Sequence, residues 1–109
     1  MVKTEYSLSY LPMFYEDLEK EITYIAEILM NSEAANELID IVEQAIIDRL
    51  PVAESFEPYY PNNNPENPYY RIYVNNYTIY YVVIEKDDNS KTMEVRRFLN
   101  NLQLRDNYL

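Results

Sequence analysis

Residues 69–84 read Tyr-Tyr-Arg-Ile-Tyr-Val-Asn-Asn-Tyr-Thr-Ile-Tyr-Tyr-Val-Val-Ile. Apart from Arg71, Asn75 and Asn76, every side chain here is β-branched or aromatic, the types that fit a pleated, half-buried surface. Asn tolerates positive φ, so Asn75 and Asn76 between two strand-like runs predict a two-residue hairpin turn. That turn fixes the register: Val74 opposite Tyr77, Ile72 opposite Ile79, Tyr70 opposite Tyr81. These residues share one apolar face with Val83, the predicted core side. Tyr69, Arg71, Tyr73, Thr78, Tyr80 and Val82 share the other, which reads as an open aromatic surface with a single cation. Patterning leaves two readings of that second face: a functional surface, or a plain face that is solvated or covered by a partner.

Upstream, Tyr6, Leu8 and Tyr10 alternate with Glu5, Ser7 and Ser9, the pattern of a half-buried strand. Pro12 suits the first position of a helix. From there Phe14, Leu18, Ile22, Ile25 and Leu29 recur at three- and four-residue steps, an amphipathic helix, with Glu16 and Asp17 expected to favour its first turn through the helix dipole. Asn31 and Ser32 end it and can cap a second helix over about residues 33–50, whose apolar stripe is Ala35, Leu38, Val42, Ala45, Ile46 and Leu50. So short a connection makes the two helices antiparallel neighbours. Residues 51–68 hold five prolines and the run Pro61-Asn-Asn-Asn-Pro65, a loop that Phe56, Tyr59 and Tyr60 are expected to pin in part to the core. It reads either as a packed linker or as a binding loop. After the hairpin, residues 87–90 turn the chain into a last strand over 92–99, with Met93 and Val95 inward.

This order predicts an α+β fold of two layers: an N-terminal strand, then an antiparallel helical hairpin packed on one face of a mostly antiparallel four-stranded sheet, the other face staying open. Residues 1–109 form one domain on this reading: a helical hairpin at 10–50, a Pro/Asn-rich loop at 51–68, a three-stranded meander at 69–99 and a tail at 100–109.

Composition narrows the function. The chain has no cysteine, so no disulfide framework or thiolate chemistry. It has no histidine, the side chain that titrates near neutrality and the commonest metal ligand. It has no glycine, which excludes a Gly-rich phosphate loop. No metal or cofactor is expected. No apolar run approaches the about 20 residues of a membrane span, and no signal peptide opens the sequence, so a cytoplasmic location is expected. The net charge of -10 is uneven: residues 1–57 carry 13 acids and 3 bases, residues 58–109 carry 6 of each. That excess argues against strong direct nucleic-acid binding. On the helices it reads as an ordinary solvated face or as a docking surface for a basic partner.

The opening strand, then Phe14-Tyr-Glu-Asp-Leu18, Tyr24-Ile25 and Glu33-Ala-Ala35, together with Tyr70-Arg71-Ile72-Tyr73-Val74 and Met93-Glu-Val-Arg-Arg-Phe-Leu-Asn100, resemble the RelE/ParE superfamily of toxins from type II toxin–antitoxin systems. The resemblance covers nearly the whole chain and lies in the order and spacing of motifs that are each weak alone. It implies a small toxin held inactive by a cognate antitoxin. RelE-like members cleave mRNA on the ribosome, whereas ParE-like members act on DNA gyrase and cleave no RNA. The resemblance puts the functional residues on the open sheet face. Arg71 falls on a family basic position, Tyr73 where the ribonucleases often have a second base, and Thr78 where they have Arg. Asn100 stands where many have His, Leu102 and Gln103 fall where a basic cluster is missing, and Tyr108 stands near a C-terminal catalytic Tyr.

Cleavage through a 2′-hydroxyl needs a base, an acid and cations around the phosphorus. Binding the polyanion needs phosphate neutralisation. With no His and few cations, the chain reads as a ParE-like toxin that binds a macromolecular target such as DNA gyrase through Arg71, Tyr73, Thr78, Tyr80, Arg96, Arg97 and Arg105. The alternatives are a ribosome-dependent endoribonuclease using Arg71, Arg97 and Tyr108, and a degenerate, non-toxic interaction module. Arg96 or Arg97 can also simply pair with a helix carboxylate.

Overall fold

The computed structural model describes residues 5–60, 68–103 and 108–109. Strand β1 (Tyr6–Tyr10) leads through Leu11 into helix α1 (Pro12–Thr23), with Pro12 in its first turn, where a missing N–H costs nothing. No acid lies in that first turn, because the helix begins at Pro12 and so places Glu16 and Asp17 one turn further in. The dipole role expected for them is therefore absent, and Asp17 is used otherwise.

The helix widens to a π-turn at Tyr24–Ile28, where the Leu29 N–H donates to the Tyr24 carbonyl, five residues back, at 3.1 Å. One extra residue per turn slips the helical phase by about 100°. Leu29, expected on the buried stripe, is consequently turned outward and is 54% exposed. Met30 reverses the chain at φ 54, and the Asn31 side chain caps α2 (Ser32–Arg49) by accepting the Ala34 N–H at 3.0 Å.

Strands β2 (Tyr70–Val74), β3 (Tyr77–Glu85) and β4 (Lys91–Asn100) complete a sheet of order β1-β4-β3-β2. Only the β1–β4 pair is parallel. The hairpin register is the expected one, with Val74 opposite Tyr77, Ile72 opposite Ile79 and Tyr70 opposite Tyr81. Of the two turn residues only Asn75 has positive φ, at 51.

Phe14, Leu38, Val42 and Ile46 from the helices pack on Tyr70, Ile72, Val74, Ile79, Tyr81, Met93, Val95 and Phe98 from the sheet. Val95 is opposite Tyr81, but Arg97 is opposite Tyr80, which leaves Arg96 as the extra residue of a β-bulge. The bulge shifts the alternation so that Phe98, rather than Arg97, returns to the helix side opposite Ile79.

The second face differs from expectation. Tyr69, Tyr80, Val82 and Leu99 form a small core of their own, with Tyr59, Ile84 and Leu109 packed against it. Tyr59 reaches it because its backbone forms an isolated antiparallel bridge with Tyr69, through bonds of 2.6 and 2.7 Å. Of the three aromatics expected to pin the loop, Tyr59 does so, whereas the rings of Phe56 and Tyr60 are exposed. The deepest anchor is Ala53, whose carbonyl accepts the Tyr81 hydroxyl at 2.6 Å. Arg49 donates to that same hydroxyl and to the Arg71 carbonyl, each at 3.0 Å, tying α2 to β2 and β3.

Candidate functional site

The three-stranded meander lines the expected residues up in two rows. Arg71 on β2 is opposite Tyr80 on β3, which is opposite Arg97 on β4. In the next row Tyr73 is opposite Thr78, and Thr78 is opposite Leu99. With neighbouring strands about 4.8 Å apart, the backbones of Arg71 and Arg97 stand roughly 10 Å apart across Tyr80.

Accessibility divides these residues. Tyr73 is 66% exposed at the β2 edge. Beside it, half-buried Arg71 holds its guanidinium 5.0 Å from the centroid of the Tyr59 ring. Tyr80 is only 4% exposed, and Thr78 is buried with its hydroxyl donating to Asn101 Oδ1 at 2.6 Å. Neither Thr78 nor Tyr80 presents a side chain to a partner in this fold, because the face expected to be open is covered above them.

The two described arginines of β4 are engaged. Arg96, at the bulge, donates through Nε to Glu94 at 2.8 Å and through Nη1 to the Tyr69 hydroxyl at 3.3 Å. Burial pulls its guanidinium pKa down, but those two bonds outweigh it and the net direction is upward. Arg97 makes a two-pronged pair with Asp17, through Nε at 2.7 Å and Nη2 at 2.8 Å. Its Nη1 donates to the Tyr108 carbonyl at 2.8 Å, and its guanidinium lies 5.4 Å from the Tyr108 ring centroid. The Asp17 bonds hold Arg97 above the ordinary guanidinium range despite its burial. Arg105 lies outside the described residues.

Arg71, Tyr80, Arg97 and Tyr108 are thus brought to one side of the sheet; of the candidate residues described there, Tyr73 and Tyr108 are exposed, Arg71 is half-buried, and Thr78 and Tyr80 are buried. The helix carboxylate that the sequence allows as a partner for Arg96 or Arg97 is met in the Arg97–Asp17 pair; the sequence does not single out Asp17 as that carboxylate, nor Tyr59 as the ring beside Arg71. Asp17 is one of the 19 acids of the chain, on a helix whose face toward β4 no periodicity reveals. Tyr59 reads from sequence as a packing residue, and it comes beside Arg71 through its non-local bridge to Tyr69 and its packing on the second-face core.

On the helix side, an apolar groove of about 300 Å³ runs between α1 and α2, lined by Tyr10, Phe14, Tyr15, Leu18, Ile39, Val42 and Ile46. Glu43 is the one charged residue in its lining. Among the described residues no group of three acidic side chains is placed to hold a metal ion, and no described helix is long and apolar enough to cross a membrane. No family model matches the chain, and no curated protein matches it.

Proposed function

We propose that this chain is a cytoplasmic toxin of the RelE/ParE kind that acts by binding a macromolecular target, as ParE-like toxins do with DNA gyrase, and that a cognate antitoxin neutralises it. The order of elements supports the reading: a first strand, a helical hairpin and a three-stranded meander, with the motif residues Arg71, Arg97 and Tyr108 on one side of the sheet. The acidic balance of residues 1–57 suits a basic antitoxin segment lying along the helices.

The observation that favours binding over cleavage is the Arg97–Asp17 pair. A ribonuclease needs cations free to meet the charge that develops on the phosphate. Here three N–H donors of Arg97 are engaged, two by Asp17 and one by the Tyr108 carbonyl, and the Asp17 carboxylate offsets its charge. The β2 edge presents a half-buried arginine beside an exposed tyrosine, residue types that anchor protein interfaces.

The test is growth of bacterial cells on induction of the unaltered chain, Arg71→Ala and Tyr73→Ala, each at matched soluble level. Growth arrest by the unaltered chain, relieved by either substitution, is the expected result. Arrest that Arg71→Ala relieves and Tyr73→Ala leaves intact would speak against an interface and for a charge-dependent chemistry.

A further inference from the structure

We propose that Tyr108 and Leu109 form an autoinhibitory contact, occupying the part of the second sheet face that Tyr80, Leu99 and Arg97 would otherwise present. The functional half of this inference rests on the binding reading given above; the structural half does not.

The contact has three parts. The Tyr108 carbonyl accepts from Arg97 Nη1 at 2.8 Å. The Tyr108 ring covers the same guanidinium at 5.4 Å. Leu109 packs on the small core of Tyr69, Tyr80, Val82 and Leu99. This one short segment therefore covers both the cation and the aromatic surface that line up across β3 and β4.

The approach to it is built into the end of β4. The Asn101 N–H donates to the Asn76 carbonyl at 2.8 Å, and Asn101 Oδ1 accepts Thr78. Gln103 closes a turn on Asn100 from both its backbone N–H, at 2.9 Å, and its side-chain oxygen, at 2.8 Å. The chain is thus reversed firmly at residues 100–103, while the cover itself is light. Tyr108 stays 42% exposed and Leu109 half-buried. One half-buried leucine and a single charge-assisted bond, with the Tyr108 ring on the guanidinium, hold the cover in place. A cover held by so few contacts opens locally without global unfolding. When it lifts, Tyr80 and Leu99 are uncovered and Arg97 regains a donor, enlarging the surface that begins with Arg71 and Tyr73 at the β2 edge.

The absence of cysteine makes a direct test available. Val82→Cys places a thiol in the small core against which Leu109 packs, and Met93→Cys places one in the helix-side core; both native side chains are fully buried. Thiol-labelling rates of each are measured in the full chain with and without Leu109→Asp, with Tyr108→Ala as a second way of lifting the cover. Lifting it should speed labelling at position 82 by roughly tenfold or more, since labelling follows the open fraction, and leave position 93 unchanged. In cells, Leu109→Asp without the added thiols should arrest growth at a lower expression level than the unaltered chain. Unchanged labelling at position 82, or a rise at both positions, overturns the cover. Faster labelling at position 82 with equal or weaker arrest overturns autoinhibition. If neither the unaltered nor the opened chain affects growth, the toxin reading fails and the autoinhibitory role with it, an outcome distinct from a failure of labelling.

Discussion

Asp17, in the second turn of α1, accepts two bonds from the Arg97 guanidinium and a third, at 3.0 Å, from the backbone N–H of Phe98, across 80 and 81 positions of sequence. The last β1-side backbone bond to β4 runs from the Leu11 N–H to the Val95 carbonyl. Beyond it no described strand lies beside this edge of β4, and the Asp17 carboxylate accepts the Phe98 N–H there. The pair therefore fastens the helical layer to the sheet and also turns a candidate catalytic cation inward.

Asp17→Ala removes all three bonds and leaves a mostly buried guanidinium without its counter-charge. The cost should be roughly 2–4 kcal/mol, near the lower part of the range for breaking buried pairs. Asp17→Ala combined with Arg97→Met should be distinctly less destabilised than the two single losses added together, because no orphaned charge remains. Denaturant unfolding of the four proteins measures this, and simple additivity would mean that the pair contributes little.

Ile79 is 0% exposed, opposite both Ile72 and Phe98. Ile79→Ala should cost about 2–5 kcal/mol as a large-to-small change in a packed core. A loss under about 0.5 kcal/mol, typical of surface positions, would contradict this placement of the β2–β3 hairpin.

The Thr92 hydroxyl is buried with no hydrogen-bond partner among the described residues. A buried hydroxyl left unpaired forfeits its hydration, and a methyl group of the same shape does not. Thr92→Val should therefore raise the unfolding free energy by about 1 kcal/mol, read from the denaturant midpoint. A loss of stability would show that the hydroxyl is satisfied after all.

Much of the fold was legible because the period-two patterning of residues 69–84 and the Asn75–Asn76 turn fix a register, and one register fixes both faces. The helical hairpin followed from its apolar stripes and the Asn31 cap. Three features were not legible. The π-turn that exposes Leu29 breaks the period instead of following it. The bulge at Arg96 keeps an alternating pattern while changing which residue faces inward. The cover over Tyr80 comes from Tyr59 and Leu109, whose contacts with the sheet are non-local and leave no trace in local patterning. The candidate site was accordingly legible as a set of residues on one side of the sheet, but not in which of them reach solvent.

Alkali should unfold the protein through its tyrosines. Burial pushes the phenols of Tyr81, Tyr77, Tyr70 and Tyr10 up from the ordinary value of 10.0. The unfolded chain then loses those protons first, so the stabilisation is complete below about pH 10 and is lost as pH rises through the folded-state values. Tyrosinate absorbance followed beside circular dichroism should show a late group of phenols ionising together with loss of structure. All 13 tyrosines titrating at the ordinary value with structure retained would contradict this burial.

The central claim is that the protein acts by binding and does not cut RNA. The most direct measurement is the mapping of mRNA 5′ ends on translating ribosomes supplied with the purified, unaltered chain, with Arg71→Ala in parallel. The account predicts no ends beyond those of untreated ribosomes, from a preparation that arrests growth when expressed in cells. Ends phased to codons that appear with the unaltered chain and vanish with Arg71→Ala would contradict it and make the protein a ribosome-dependent endoribonuclease.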